Sequence, residues 1–178
     1  MKKLYLISSF LILTSCVSTP LTPEYNSYIK DVKKTLTVYN REEVSWSFEK
    51  GTGILIGSGF LVQNSGNVVK CSGKEVALYP VSSYSKERFR NIYGSVYGGF
   101  NPASLPRRVD TANYQYTQDR ITSTCDIDGK FKFTNLPAGQ FYVVTQVIWT
   151  GYNTWYEGGY ISKRVVIEEG KTTEVILN

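Results

Sequence analysis

From Asp126 to Asn178 the chain alternates apolar and polar residues in short runs, cut by turn residues at intervals of roughly ten positions, and that grammar belongs to β-sheet proteins. Asp126-Ile127-Asp128-Gly129 reads as a turn, and Phe131 and Phe133 alternate on the strand behind it. Leu136-Pro137-Ala138-Gly139 is a second turn, leading into a long strand over Phe141–Trp149. An aromatic, glycine-bearing loop over 151–159 follows, then a strand at Ile161–Ile167, the turn Glu169-Gly170-Lys171 and a last strand at Thr173–Leu177. Strands this short and this evenly spaced predict an all-β sandwich with Greek-key connections. Fourteen Tyr and fifteen Gly against a single Met fit strands and turns better than helices.

The pattern continues upstream with more interruptions. Val44, Trp46 and Phe48 alternate with polar residues, which predicts a half-buried strand; Lys50 to Gly53 is a turn. Ile54 to Val62 is strand-like, with Gly57 and Gly59 marking a bulge or a close backbone approach. Asn64-Ser65-Gly66-Asn67 turns the chain back, Val68-Val69 leads to Cys71, and Val76, Leu78 and Pro80 mark the next strand. Ser85 to Tyr93 suits a short helix, Gly94 to Arg108 reads as a long loop, and Tyr114 and Tyr116 alternate into a strand running toward Cys125. Residues from about 83 to 114 thus form an insertion, and its aromatic content (Tyr93, Tyr97, Phe100) means that it either folds over the sandwich or meets a partner.

The segment DIDGKFKFTNLPAGQFYVV, followed by GY and VVIEEGKTTEVIL, resembles the carboxypeptidase regulatory-like domain. Asp126, Gly129, Phe131, Leu136, Pro137, Gly139 and Tyr142 stand close to that family's order, Tyr142 one place late, and GSGFLV and KEVALYPV look like its first two strands. The resemblance spans 51–178 and is specific in the last fifty residues. It implies a prealbumin-like (transthyretin-like) sandwich of about seven strands, here with a short N-terminal helix and the long insertion. It carries over no catalytic residues, and neither the insertion nor a cysteine pair is general to that family.

Residues 1–15 have a positive start at Lys2 and Lys3, an apolar run from Leu4 to Leu13 that is too short to span a bilayer, and small residues before Cys16. Leu13-Thr14-Ser15-Cys16 resembles the lipobox of bacterial lipoproteins, which implies a diacylglycerol (palmitate-bearing) anchor on Cys16. An ordinary signal peptide with a chance cysteine is the alternative. Val17, not aspartate, follows the cysteine; by the same resemblance this favours the outer membrane, periplasmic side. Val17 to Pro23 reads as a tether, and Thr22-Pro23-Glu24 as the start of a short helix reaching about Lys34. With Cys16 taken by lipid, Cys71 and Cys125 are left in an oxidising compartment, so a disulfide is expected, two unpaired thiols being the alternative.

The formal charge of +5 includes Lys2 and Lys3, so the chain without them carries +3, spread without the basic stripe that tracks a phosphate backbone; nucleic acid is not an expected partner. No histidine is present, which removes Ser-His-Asp and Cys-His catalysis and His-ligated zinc. Ser82, Ser83, Ser85 and Lys86 lack a Ser-x-x-Lys context, and Asp126-x-Asp128-Gly129 suits an Asp-capped turn better than a calcium loop. No catalytic residue, metal or cofactor beyond the covalent lipid is expected. The contact candidates are aromatic: Trp149, Tyr152, Trp155 and Tyr156 around the last long loop, with Tyr97 and Phe100 in the insertion, against the alternative that Trp149 and Tyr160 belong to the core. The leading expectation is a non-enzymatic envelope lipoprotein that binds another envelope protein within a larger assembly. A glycan-binding module using the 149–160 loop comes second, and an inhibitor or immunity-type lipoprotein third.

Overall fold

The computed structural model describes residues 32–151 and 155–178. Cys16, the helix start at Thr22, and Tyr152 lie outside the described residues. Among the described residues nine strands follow one another: β1 (Gly53–Val62), β2 (Val68–Lys70), β3 (Glu75–Pro80), β4 (Gly98–Pro102), β5 (Ile121–Thr124), β6 (Lys130–Leu136), β7 (Gly139–Thr150), β8 (Tyr156–Ile167) and β9 (Thr172–Leu177). They form an all-β sandwich with two α-helices among the described residues, α1 (Ser83–Tyr93) in the insertion and α2 (Tyr114–Gln118) at its end. One sheet runs β4-β8-β7-β3-β5. The other centres on β1, which pairs antiparallel with β2 and β6 and parallel with β9.

Alternation fixes which side of each strand is buried. Leu55, Phe131, Phe133, Leu136, Val175 and Leu177 of one sheet meet Val76, Leu78, Phe141, Val143, Val147, Ile161, Val165 and Ile167 of the other, all buried. Each such side chain stabilises the fold by roughly 1.5–3 kcal/mol relative to exposure. The five-stranded sheet is buried on its outer side too. There α1 lays Phe89 and Tyr93 over Tyr142, with Phe89 and Tyr142 stacked at 3.7 Å between centroids. The ring cluster extends through Tyr79, Tyr116, Tyr84 and Tyr39. The insertion therefore packs over the sandwich.

Cys71 and Cys125 are joined, with Cα atoms 5.8 Å apart and both residues buried. Cys71 follows β2 of one sheet and Cys125 follows β5 of the other, so the bond ties the two sheets at one corner. It stands beside Glu75↔Thr124, at the opposite end of the β3–β5 pair from the insertion, whose base is held by Leu78↔Ile121.

Several local readings need correction. Residues Glu42–Phe48 form a 3-10 helix, not a strand, because Val44 and Ser47, three apart, are the buried pair and Ser47 Oγ donates to the Val44 carbonyl at 2.7 Å. Lys33 is not helical; it bridges Val109. Tyr114 and Tyr116 lie on α2, capped by Asn113 Oδ1 accepting from the Tyr116 N–H at 3.2 Å, and Tyr116 turns inward to stack on Tyr79. The expected loop over 94–108 contains β4, and this strand and the short β2 raise the count above seven. Gly98 hides β4 from the sequence: its φ is 99°, and a Cβ there would press into the Ser162 carbonyl of β8.

Residues 32–41 are strapped to the insertion. Glu87 accepts the N–H groups of Leu36 and Thr37 at 2.9 and 2.8 Å, and buried Arg88 donates to Thr35 Oγ1 and Asp110 Oδ1 at 3.2 and 3.1 Å. Arg41 and Tyr39 both donate to the Asp119 carboxylate.

Candidate binding surface

The β7–β8 hairpin continues in register to Thr150↔Tyr156, so the aromatic loop is shorter than the sequence implies and Tyr156 is already on a strand. On β8 the odd positions Ile161, Val165 and Ile167 are buried, and Tyr160, Arg164 and Val166 therefore face outward. Tyr160 is 44% exposed and Tyr156 65%. They are four residue steps apart along the strand, about 13 Å at the usual rise. Gly158, between them, offers no side chain.

β4 adds to this edge from the insertion. Asn101 stands opposite Tyr160, Phe100 opposite Ile161, and the Arg164 N–H donates to the Tyr97 carbonyl at 2.9 Å. By alternation Tyr97 shares the outer side with Tyr160, whereas Phe100 projects on the core-facing side at the sheet edge. Tyr97 is 71% exposed, Phe100 44%. Trp155 adjoins Tyr156 at the hairpin tip and is also strongly exposed. Tyr97, Phe100, Trp155 and Tyr156 are thus gathered along one sheet edge, joined by Tyr160. The sequence-based alternative placed Tyr160 in the core; the alternation counted from Ile161 is the signal that points it outward.

Trp149 is different. It is half-buried, packs against the main core, and its indole Nε1 donates to Glu157 Oε2 at 2.9 Å. It supports the surface from beneath. Behind Tyr160, burial raises the Tyr93 phenol above its ordinary range, eased by a hydrogen bond with Ser162. Tyr93 is packing, not contact.

The polar candidates have structural partners. Ser82 and Ser85 exchange a capping box at the start of α1, and Ser83 donates to Glu43 through both N–H and Oγ, at 2.7 and 2.9 Å. Asp126 Oδ1 accepts the N–H groups of Asp128 and Lys130 at 2.9 and 2.8 Å, closing the turn as the sequence suggested. Among the described residues no group of three or more carboxylates and cysteines is placed to hold a metal ion. An open trough of about 830 Å³ lies along Ile56, Ser58, Lys132 and Ile176 of the β1-centred sheet and reaches Ser123 and Thr124 of β5.

No family model matches the chain, and no curated protein matches it. Among solved structures, it is similar to a candidate carbohydrate-binding protein from Pseudomonas aeruginosa, with a TM-score of 0.67 and 23% identity over 80% of this chain and 98% of that one. At that identity the likeness shows a common fold. The minor pilin of Streptococcus agalactiae is more remote, with a TM-score of 0.34 and 18% identity over 71% of this chain and 43% of that one.

Proposed function

We propose that this chain is a non-catalytic glycan-binding module of the bacterial envelope, anchored by lipid on Cys16 at the periplasmic side of the outer membrane. By its C-terminal motif we group it with carboxypeptidase regulatory-like domains. The observation that carries the binding reading is the row of exposed rings at the β4–β8 edge, Tyr97, Tyr160, Tyr156 and Trp155. Rigid rings with polar tips stack on sugar faces at little entropic cost. The candidate function of the Pseudomonas aeruginosa protein, on the same fold, supports this choice.

Titration of the full chain in detergent with peptidoglycan fragments and polysaccharides, followed by tryptophan fluorescence, tests it. Tyr156→Ala and Tyr160→Ala should each weaken binding about tenfold, the equivalent of about 1.4 kcal/mol, without moving the melting temperature. Silence across a broad glycan panel overturns the reading. Palmitate labelling should mark the wild type and not Cys16→Ala.

A second reading, the binding of an envelope protein, is favoured by the outer side of the β1-centred sheet. Val62, Val68 and Ile176 are each more than half exposed there, beside the half-buried Ile56. Crosslinking in native membranes followed by detergent extraction should trap a partner on this sheet; the protein migrating alone would remove it.

A further inference from the structure

The segment Gly94–Tyr97, between α1 and β4, is flanked by arginines of α1, of the loop after β4 and of β8. The Arg107 guanidinium lies directly against Gly94, which closes α1 by donating its N–H to the Arg90 carbonyl at 2.9 Å. Arg164 of β8 holds the Tyr97 carbonyl through its own N–H, carries its guanidinium 5.9 Å from the centre of the Tyr97 ring, and donates to Gln140. Arg90 belongs to the last turn of α1. Beneath them the Tyr142 hydroxyl donates to the Val96 carbonyl at 2.7 Å; burial raises this phenol, and the fields of Arg164 and Arg90 both oppose that rise. Arg107 at Gly94 and Arg164 at Tyr97 thus bracket this segment, and Arg90 lies in the helix turn that Gly94 closes.

Among the described residues, Arg107 and Arg164 form no ion pair with a carboxylate. The end of α1 supplies the equivalent of about half a negative charge, less than one of the three arginines needs. Glu87, three residues before Arg90 on α1, accepts from the N–H groups of Leu36 and Thr37 and still offsets part of the Arg90 charge, so the larger uncompensated charge is that of Arg107 and Arg164. Gln140 offers Arg164 a neutral oxygen only. Tyr97, strongly exposed, puts an aromatic face beside the cluster, and the same sheet edge continues to Tyr160 and Tyr156.

We infer that Arg90, Arg107 and Arg164, with Tyr97 as a stacking platform, form a subsite for an acidic group on the bound glycan, a sugar carboxylate or phosphate. The inference rests on the glycan-binding reading and narrows it to anionic polymers. Guanidinium forks match both acid types geometrically, and a ring beside them aligns the sugar plane. A chain entering at Tyr97 would run along β8 toward Tyr160 and Tyr156.

Calorimetry on the full chain in detergent micelles, with hexagalacturonate, phosphorylated pentamannose and neutral maltohexaose as probes, tests this. At least one charged probe should bind about tenfold more tightly than maltohexaose, and which one does so identifies the acid. That preference should fall several-fold between about 50 and about 500 mM NaCl. It should vanish in Arg90→Gln/Arg164→Gln while maltohexaose binding persists. If the double variant is poorly folded by near-ultraviolet circular dichroism, the salt dependence of the wild type decides. Equal affinity for charged and neutral probes, or a salt-independent preference, overturns the subsite and leaves the glycan reading standing. No binding of any probe by the wild type overturns both.

Discussion

Asp119 shows how a single carboxylate is placed to hold the N-terminal segment. Burial works to raise its carboxyl, but hydrogen bonds from Gln115, Arg41 and Tyr39 outweigh it and hold the group below its ordinary value. A carboxylate depressed in the folded state stabilises fully above the unfolded value, about 4, and that contribution is lost as pH falls through the lower folded value. Asp119→Asn should therefore lower the urea midpoint at pH 7, by the equivalent of about 1.5–3 kcal/mol for a charge-assisted network. The difference from wild type should shrink steadily below about pH 4. A difference unchanged down to pH 2 would refute the assignment. Gly158 carries a separate expectation. Its φ is 77°, and an added Cβ would press on the Val147 carbonyl and stand 2.6 Å from the Trp149 ring. Gly158→Ala should cost more than the roughly 1 kcal/mol of left-handed strain alone and should shift tryptophan fluorescence, because Trp149 must move. A variant with wild-type stability and spectrum would show that the strand has another way through.

Among the elements, α1 owes its start to Ser82 and Ser85. Ser82 Oγ accepts the Ser85 N–H at 3.1 Å, and Ser85 Oγ accepts the Ser82 N–H at 2.7 Å, both inside the protein. Ser82→Ala removes one acceptor and should cost about 1–2 kcal/mol, read as a lower unfolding midpoint. Faster hydrogen exchange should appear over Ser83–Tyr93 before the sandwich strands; uniform change would mean the cap is not local. The same elements show what a sequence reveals. Strands β6 to β9 were legible because each buries one face against the main core, so period two survives in Phe131/Phe133 and in Ile161/Val165/Ile167. β4 was not, since it is an edge strand of Gly, Phe, Asn and Pro whose place is set by contact with β8 and not by its own propensity. Tyr114 and Tyr116 misled for the opposite reason: their alternation is real, but the pull of the Tyr79–Tyr84 cluster on Tyr116 decides the conformation. The exposed aromatic edge, the candidate surface, was half legible. Trp155, Tyr156, Tyr97 and Phe100 stood out as aromatics in turn-rich sequence, whereas their assembly into one edge, and the addition of Tyr160 and Arg164, depend on the β4–β8 pairing.

At the scale of the whole molecule, the two sheets share one core, so what keeps them in register matters. The Cys71–Cys125 bond spans 54 residues of sequence and joins the end of β2 in one sheet to the end of β5 in the other. A loop of that length, once closed, restricts the unfolded chain by about 4 kcal/mol on the entropic account. That is a large share of the 5–15 kcal/mol by which a domain of ordinary size is stable. The loop includes β3, α1, β4 and α2, hence every part of the insertion that supplies Tyr97, Phe100, Arg90 and Arg107. Cys71→Ser/Cys125→Ser should therefore remain folded in mild conditions with a lower midpoint, and reduction of the wild type should reproduce that shift. Ligand affinity at the β4–β8 edge should change little while the protein is folded, because the bond lies at the far end of the β3–β5 pair. A double variant as stable as the wild type would mean that burial alone holds the sheets in register. A folded variant with collapsed affinity would mean that the corner between the sheets governs the geometry of the edge.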